Sequence, residues 1–176
     1  MLDVYVQEVF LEYLRRTKHR IDFDFCTGIP VYHEIENEDE KLQYREDYVE
    51  QCIKDSIFMW EKMNFSNDLT VIFESLYSSY KKNEDKIVEN TLRVSSFDLY
   101  QYPWFCMEDR EQCTLSRYIW KTDQIDVKTL FREIILSDIG GNTDLCSSVF
   151  IIDNKTEEVF ILHDDRCGDL YYGEKI

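Results

Sequence analysis

The sequence predicts an α+β fold: an antiparallel sheet, including a C-terminal hairpin, packed against several amphipathic helices. Three observations carry this. Val127, Leu130, Phe131, Ile134 and Ile135 recur at i, i+3, i+4, i+7 and i+8, the spacing of one helix face. Ser148–Asp153 and Glu158–His163 are apolar runs flanking Asn154, Lys155, Thr156 and Glu157, the pattern of a hairpin. Helical and strand-like stretches are also segregated along the chain, as in α+β folds.

Taken in order, Leu2, Val6, Val9, Phe10, Tyr13 and Leu14 form an apolar stripe that predicts a helix over 3–17. Arg15, Arg16 and Lys18 suit the negative end of its dipole. Ile21, Phe23 and Phe25 alternate with Asp22 and Asp24, the period of a half-buried strand or extended segment, and Gly28 and Pro30 end it. The acidic run 34–40 reads as a solvated loop or the entry to a helix. A long helix is expected over 42–63, with the stripe Leu42, Val49, Cys52, Ile53, Ile57, Trp60 and Met63.

Asn64–Asp68 break that helix, and Leu69, Val71 and Phe73 read as a strand face continuing toward Tyr77. A weakly patterned helix is placed at 84–93. Leu99–Phe105 and Thr114–Lys121 are aromatic-rich and strand-like, joined by the charged loop Met107–Gln112. Asp126 is placed to cap a helix over 126–137, and Gly140 and Gly141 stop it. After the hairpin, Asp169–Tyr172 adds a short strand.

The chain has 176 residues, the size of one domain, and the expected unit is 1–176. Its net charge is −16. Such a surface repels phosphate backbones and anionic headgroups, so neither nucleic acid nor a membrane surface is an expected partner. A basic protein would be steered toward it, although plain solubility is the better account of the charge taken alone. No apolar run approaches the length of a membrane span, and Asp3 and Glu8 interrupt the N-terminal apolar residues. A cytoplasmic protein is the expectation.

The cysteines, at positions 26, 52, 106, 113, 146 and 167, include no C-x-x-C pair, so free thiols are expected and no structural zinc. Cys52 and Cys146 read as core residues. Cys167, beside Arg166, is either an inert turn residue or a thiol with a lowered pKa. No cofactor is implied, since the chain has no P-loop, no nucleophile elbow and no H-E-x-x-H motif.

The chemistry concentrates where an apolar strand runs into charge. The candidates are His163, Asp165, Arg166 and Asp169, within the motif Asp164, Asp165, Arg166, Gly168, Asp169. One reading is a structural clamp, with Arg166 gripping Asp165 or Asp169 bidentately. Another is an acid/base site in which His163 and Asp165 share a strand face. Metal binding through Asp164, Asp165 and Asp169 is disfavoured, since Arg166 competes and no calcium-loop pattern is present. Tyr100, Tyr102, Trp104 and Phe105 are either interface anchors or core residues.

The segments Asp126–Ile135, Ser148–Asp153 and Phe160–Arg166 together resemble a family of uncharacterised bacterial proteins, the domain of unknown function 3885. Ile21–Phe25 and the long second helix are compatible with it, and the specific likeness lies in 114–172. Relatives place glycine directly after the motif arginine, whereas here Cys167 precedes Gly168. They also tend to continue into a final helix, where this chain stops at Ile176. A positive-φ glycine role is therefore expected to have moved one residue, to Gly168. The resemblance implies fold more than activity, with a weak link to accessory proteins of toxin or defence loci.

Two functions are open, the first of them the leading one. One is an acidic interaction module that binds or neutralises a basic partner, as an immunity-like factor would. The other is an enzyme built on His163, Asp165, Arg166 and Asp169 at a strand-end cleft. A solvent-open concave cluster favours the enzyme; a closed Arg–Asp clamp favours a binder or a purely structural role. Partner, substrate and oligomeric state are not readable from these residues.

Overall fold

Val71 and Phe73 point to one side of their strand and Ile72 to the other, yet all three are buried, so the sheet has cover on both faces. The computed structural model describes residues 8–25, 27–34, 42–75, 92–106, 111–140, 145 and 148–175; for 104–106 and 111–113 it describes the backbone alone. The elements are α1 (Phe10–Thr17), β1 (His19–Asp24), α2 (Glu46–Met63), β2 (Leu69–Ser75), β3 (Asp98–Cys106) and β4 (Glu111–Thr122). They continue with α3 (Val127–Ile139), β5 (Val149–Asp153), β6 (Val159–Leu162) and β7 (Cys167–Tyr172). The strands form one seven-stranded antiparallel sheet in the order β1-β7-β6-β5-β2-β4-β3. The fold is α+β, as predicted.

Helices α2 and α3 cover one face. Their Val49, Cys52, Ile53, Phe131, Ile134 and Ile135 pack with Val71, Phe73, Ile151, Phe160 and Leu162. Phe160 stacks on Phe131 at 5.6 Å and meets Trp60 edge-on at 5.5 Å between ring centres. The other face carries Ile72, Phe150, Ile152, Val159, Ile161 and Tyr171, over which α1 lays Phe10 and Leu14.

Local signals account for the boundaries. Asp126 accepts the Thr129 N–H at 3.1 Å and its hydroxyl at 2.6 Å, capping α3 as expected. Gly140 ends α3 at φ +114° and Asn64 ends α2 at φ +51°. The β5–β6 turn is fixed by Asp153, which accepts N–H groups of Lys155 at 2.7 Å and Ser66 at 2.5 Å. Burial raises the Asp153 carboxyl, but these hydrogen bonds outweigh it and hold the group below its usual range.

Several boundaries differ from the sequence reading. Helix α1 begins at Phe10, with Glu8 and Val9 non-helical; positions 3–7 lie outside the described residues. Helix α2 begins at Glu46 because Tyr44 is extended, bridged to Tyr32, and Leu42 is exposed instead of joining the stripe. Strand β1 starts at His19 and forms a sheet edge, leaving Ile21 49 % exposed. Strand β2 sits between two neighbours and two layers, so it is buried along nearly its whole length and not on one face only. Strand β4 starts at Glu111, inside the expected loop.

The helix expected at 84–93 lies outside the described residues apart from Leu92 and Arg93, which are not helical. So do Tyr77, Cys26, Cys146 and residues 35–40 of the acidic run. Gly168 is not at positive φ. Its reason is space: a Cβ there would lie 2.5 Å from the Phe23 ring and 2.6 Å from the Ile161 carbonyl oxygen.

Candidate functional site

The turn from β6 to β7 divides the predicted cluster between the two faces of the sheet. Leu162 packs toward α2 and α3, so His163, the next residue, turns to the α1 side. Asp169 and Tyr171 share that side. His163 Nε2 lies 2.8 Å from Asp169 Oδ2, which also accepts the Tyr171 hydroxyl at 3.0 Å, with Arg20 at 3.6 Å. Asp169 is 4 % exposed. Burial alone would raise its carboxyl, but His163, Tyr171 and Arg20 together hold it below the usual range.

Asp165 goes to the opposite side. Its Oδ2 accepts a hydrogen bond from the Tyr48 hydroxyl on α2. Its Oδ1 is buried, with Arg166 Nε 3.3 Å away. Arg166 itself is 68 % exposed and lies 4.0 Å from Asp138 and 3.9 Å from Asp164. Asp164 folds the turn by accepting the N–H groups of Arg166 at 2.7 Å and Cys167 at 2.9 Å.

The bidentate Arg166 clamp is therefore not formed. Asp169 is held by His163, Tyr171 and Arg20, and Asp165 receives a single off-line approach from a guanidinium that stays in water. His163 meets Asp169 and not the strand-face neighbour Asp165, because the chain turns between them. Cys167 is not activated: burial and the adjacent Asp164 push its thiol up to about 12. Cys52 is buried as expected and pushed up to about 11, again mainly by burial.

Two partners were not visible in the motif. Tyr48 comes from α2 and Asp138 from the last turn of α3. The Asp138 carboxyl is raised to about 6 by burial, then by a side-chain hydrogen bond with Asp165 and the negative charges of Asp165 and Asp164, with Arg166 opposing. Asp138 carried a readable signal: an acid in the last turn of a helix that has no basic residue there. Among the described residues, no three His, Cys, Asp or Glu side chains are grouped to hold a metal ion.

The aromatic candidates lie elsewhere, on edge strand β3. Tyr100 and Tyr102 are half-buried, on the α1 face, and the Arg117 guanidinium lies 5.6 Å from the Tyr102 ring centre. The Trp104 and Phe105 side chains are outside the described residues. Arg117 also belongs to a buried ion pair that sequence reasoning missed. It places Nε 2.7 Å from Glu74 Oε2, directly across from β4 to β2.

With the fold and both networks described, the comparison with protein families is decisive, matching residues 16–175. The chain belongs to the family described as a domain of unknown function (DUF3885). Comparison with curated proteins and with solved structures gives no match. The DUF3885 match takes in the sheet, α2, α3 and both polar networks, far beyond the 114–172 segment whose resemblance was specific. Among the described residues, no helix of this DUF3885 protein is long and apolar enough to cross a membrane.

Two outcomes test these networks. Arg166→Ala should cost under about 1 kcal/mol, because its guanidinium is 68 % exposed and approaches Asp165 off-line. Tyr48→Phe should cost about 1.5–3 kcal/mol, because it strips a buried carboxylate of its donor. Urea denaturation of both variants measures this, and a larger loss for Arg166→Ala would restore the clamp.

The second outcome concerns pH. Aspartate in an unfolded chain titrates near about 4. With its folded pKa raised to about 6, Asp138 lends stability that is full below about 4 and is lost as pH rises through 6. Relative to Asp138→Asn, the wild type should lose under about 2 kcal/mol between pH 4 and 7, discounted because water reaches the side chain. Equal pH slopes in the two proteins would show that the carboxyl is not raised.

Proposed function

We propose that this protein is an acidic interaction module that acts in the cytosol by binding, and so neutralising or regulating, a basic partner protein. The observation that carries this reading is how the motif carboxylates are used. Asp165 and Asp169 are 2 % and 4 % exposed and engage Tyr48, His163 and Tyr171 of the chain itself. A catalytic pair would need access to substrate. The four candidate residues of the enzyme reading are also parted between the two sides of the sheet. The chain as a whole carries a large surplus of negative charge, −16. Such a surface favours association with a positively charged protein and disfavours nucleic acid and anionic lipid.

The role resembles that of an immunity-like factor in mechanism: charge steers the encounter and a few anchors hold it. Half-buried Tyr100 and Tyr102 on the sheet edge are suited to such anchoring.

The test is affinity capture with the tagged full chain, followed by stopped-flow association with the captured protein. The partner should be basic, and its on-rate should fall about tenfold or more between roughly 20 and 150 mM salt. An acidic partner, or an on-rate indifferent to salt, would remove charge from the mechanism.

A further inference from the structure

Helix α3 ends on a carboxyl group that, among the described residues, has one cation near it, at 4.0 Å. Its last turn carries no basic residue, although cations are favoured at that end. It carries Asp138 instead, beside Asp164 and Asp165. Behind Asp138, the Asp165 carboxyl is 2 % exposed and shares a side-chain hydrogen bond with it. Among the described residues, the nearest cation is Arg166, which is mostly in water and reaches Asp138 only at 4.0 Å.

A surface cavity of about 610 Å³ opens on this helix end. Tyr32, Leu42, Tyr44, Asp138, Ile139 and Gly140 line it. Its tyrosine wall is fixed by backbone: Tyr32 and Tyr44 form an antiparallel bridge flanked by His33 N–H to Gln43 O at 3.0 Å and Arg45 N–H to Val31 O at 2.8 Å. The Tyr32 hydroxyl reaches the Ile139 carbonyl at 3.4 Å, tying the wall to the helix end.

We infer that this cavity receives an arginine side chain of the basic partner, with Asp138 as its counterion. The inference rests on the interaction-module reading and names its contact. Each lining group suits that occupant. Tyrosine rings and Leu42 suit the methylene stem and the flat guanidinium face. A carboxylate suits its fork of donors, and the carbonyl end of α3 adds a negative potential. Arginine is preferred to lysine because the fork and the plane both find a match.

The experiment uses N-acetyl-arginine amide as probe, with N-acetyl-citrulline amide as its neutral isostere and N-acetyl-lysine amide as the alternative cation. Amide NMR shifts of the full chain are followed as each is added at millimolar concentration. The expected result is saturable shifts at Tyr32, Tyr44 and Gly140 with the arginine probe, and binding at least about fivefold weaker for citrulline and for the Asp138→Asn protein. Lysine should fall between. Preserved spectral dispersion in Asp138→Asn shows that it folds, and Arg166→Ala, which frees Asp138 of its only close cation among the described residues, should bind the probe at least as well as wild type. Equal shifts with citrulline, no shifts, or unchanged affinity in Asp138→Asn would overturn the inference. A captured basic partner that binds Asp138→Asn at full strength, still with a salt-sensitive on-rate, would overturn the pocket and leave the interaction module standing. Arginine-specific shifts at these residues, together with an affinity capture that yields no basic protein, would support the pocket and count against the broader reading.

Discussion

A buried ion pair sets the terms for the face of the sheet that α1 covers. Glu74 on β2 and Arg117 on β4 stand directly opposite each other and are 3 % and 0 % exposed. Taking both charges out of water is costly, so the surroundings must satisfy them fully. Two guanidinium nitrogens converge on Glu74 Oε2, at 2.7 Å from Nε and 2.6 Å from Nη2. The other carboxylate oxygen accepts the Phe10 N–H at 2.9 Å, and Arg117 also donates to the Glu8 carbonyl at 2.7 Å. Burial still pushes the Glu74 carboxyl above its usual range, against the pull of Arg117 and Phe10.

Helix α1 depends on this arrangement. It has only 8 residues, and its N-cap residue Val9 supplies no side-chain cap. An isolated helix of that length is unstable in water. The sheet provides the missing cap through Glu74, and the Phe10 ring lies over the Arg117 guanidinium at 5.6 Å. Phe10 and Leu14 are then held over Ile72, Phe150 and Ile152. The opposite face has no such need, because α2 and α3 bury long apolar stripes of their own. Buried charge thus serves architecture on one side of the sheet, while on the other Asp138 reaches the surface with its charge poorly balanced.

What was legible in the sequence follows from how local each signal is. Helix α3 and the β5–β6 hairpin carry complete patterns within a few residues: a stripe, a cap, a stop and a turn. The sequence pattern makes helix α2 four residues too long because Leu42 fits the stripe, while the bridge that keeps Tyr44 extended comes from Tyr32. The motif around Asp165 was visible as a knot of charge. Its division between two faces was not, since that depends on Tyr48, 117 positions away, and on where the chain turns. Glu74 and Arg117 are 43 positions apart, and each looks like an ordinary polar residue on the outer side of a half-buried strand. Both faces of these strands are in fact covered, which turns that outer position into an interior one.

The most direct test of the Glu74–Arg117 constraint is a double-mutant cycle by urea denaturation at neutral pH, using Glu74→Gln, Arg117→Met and the double variant. Each single change leaves a buried partner unsatisfied and should cost about 3–5 kcal/mol. The double variant should cost clearly less than the sum, with a coupling of at least about 2 kcal/mol. Additive losses, or single variants that cost under about 1 kcal/mol, would contradict the central role of the pair.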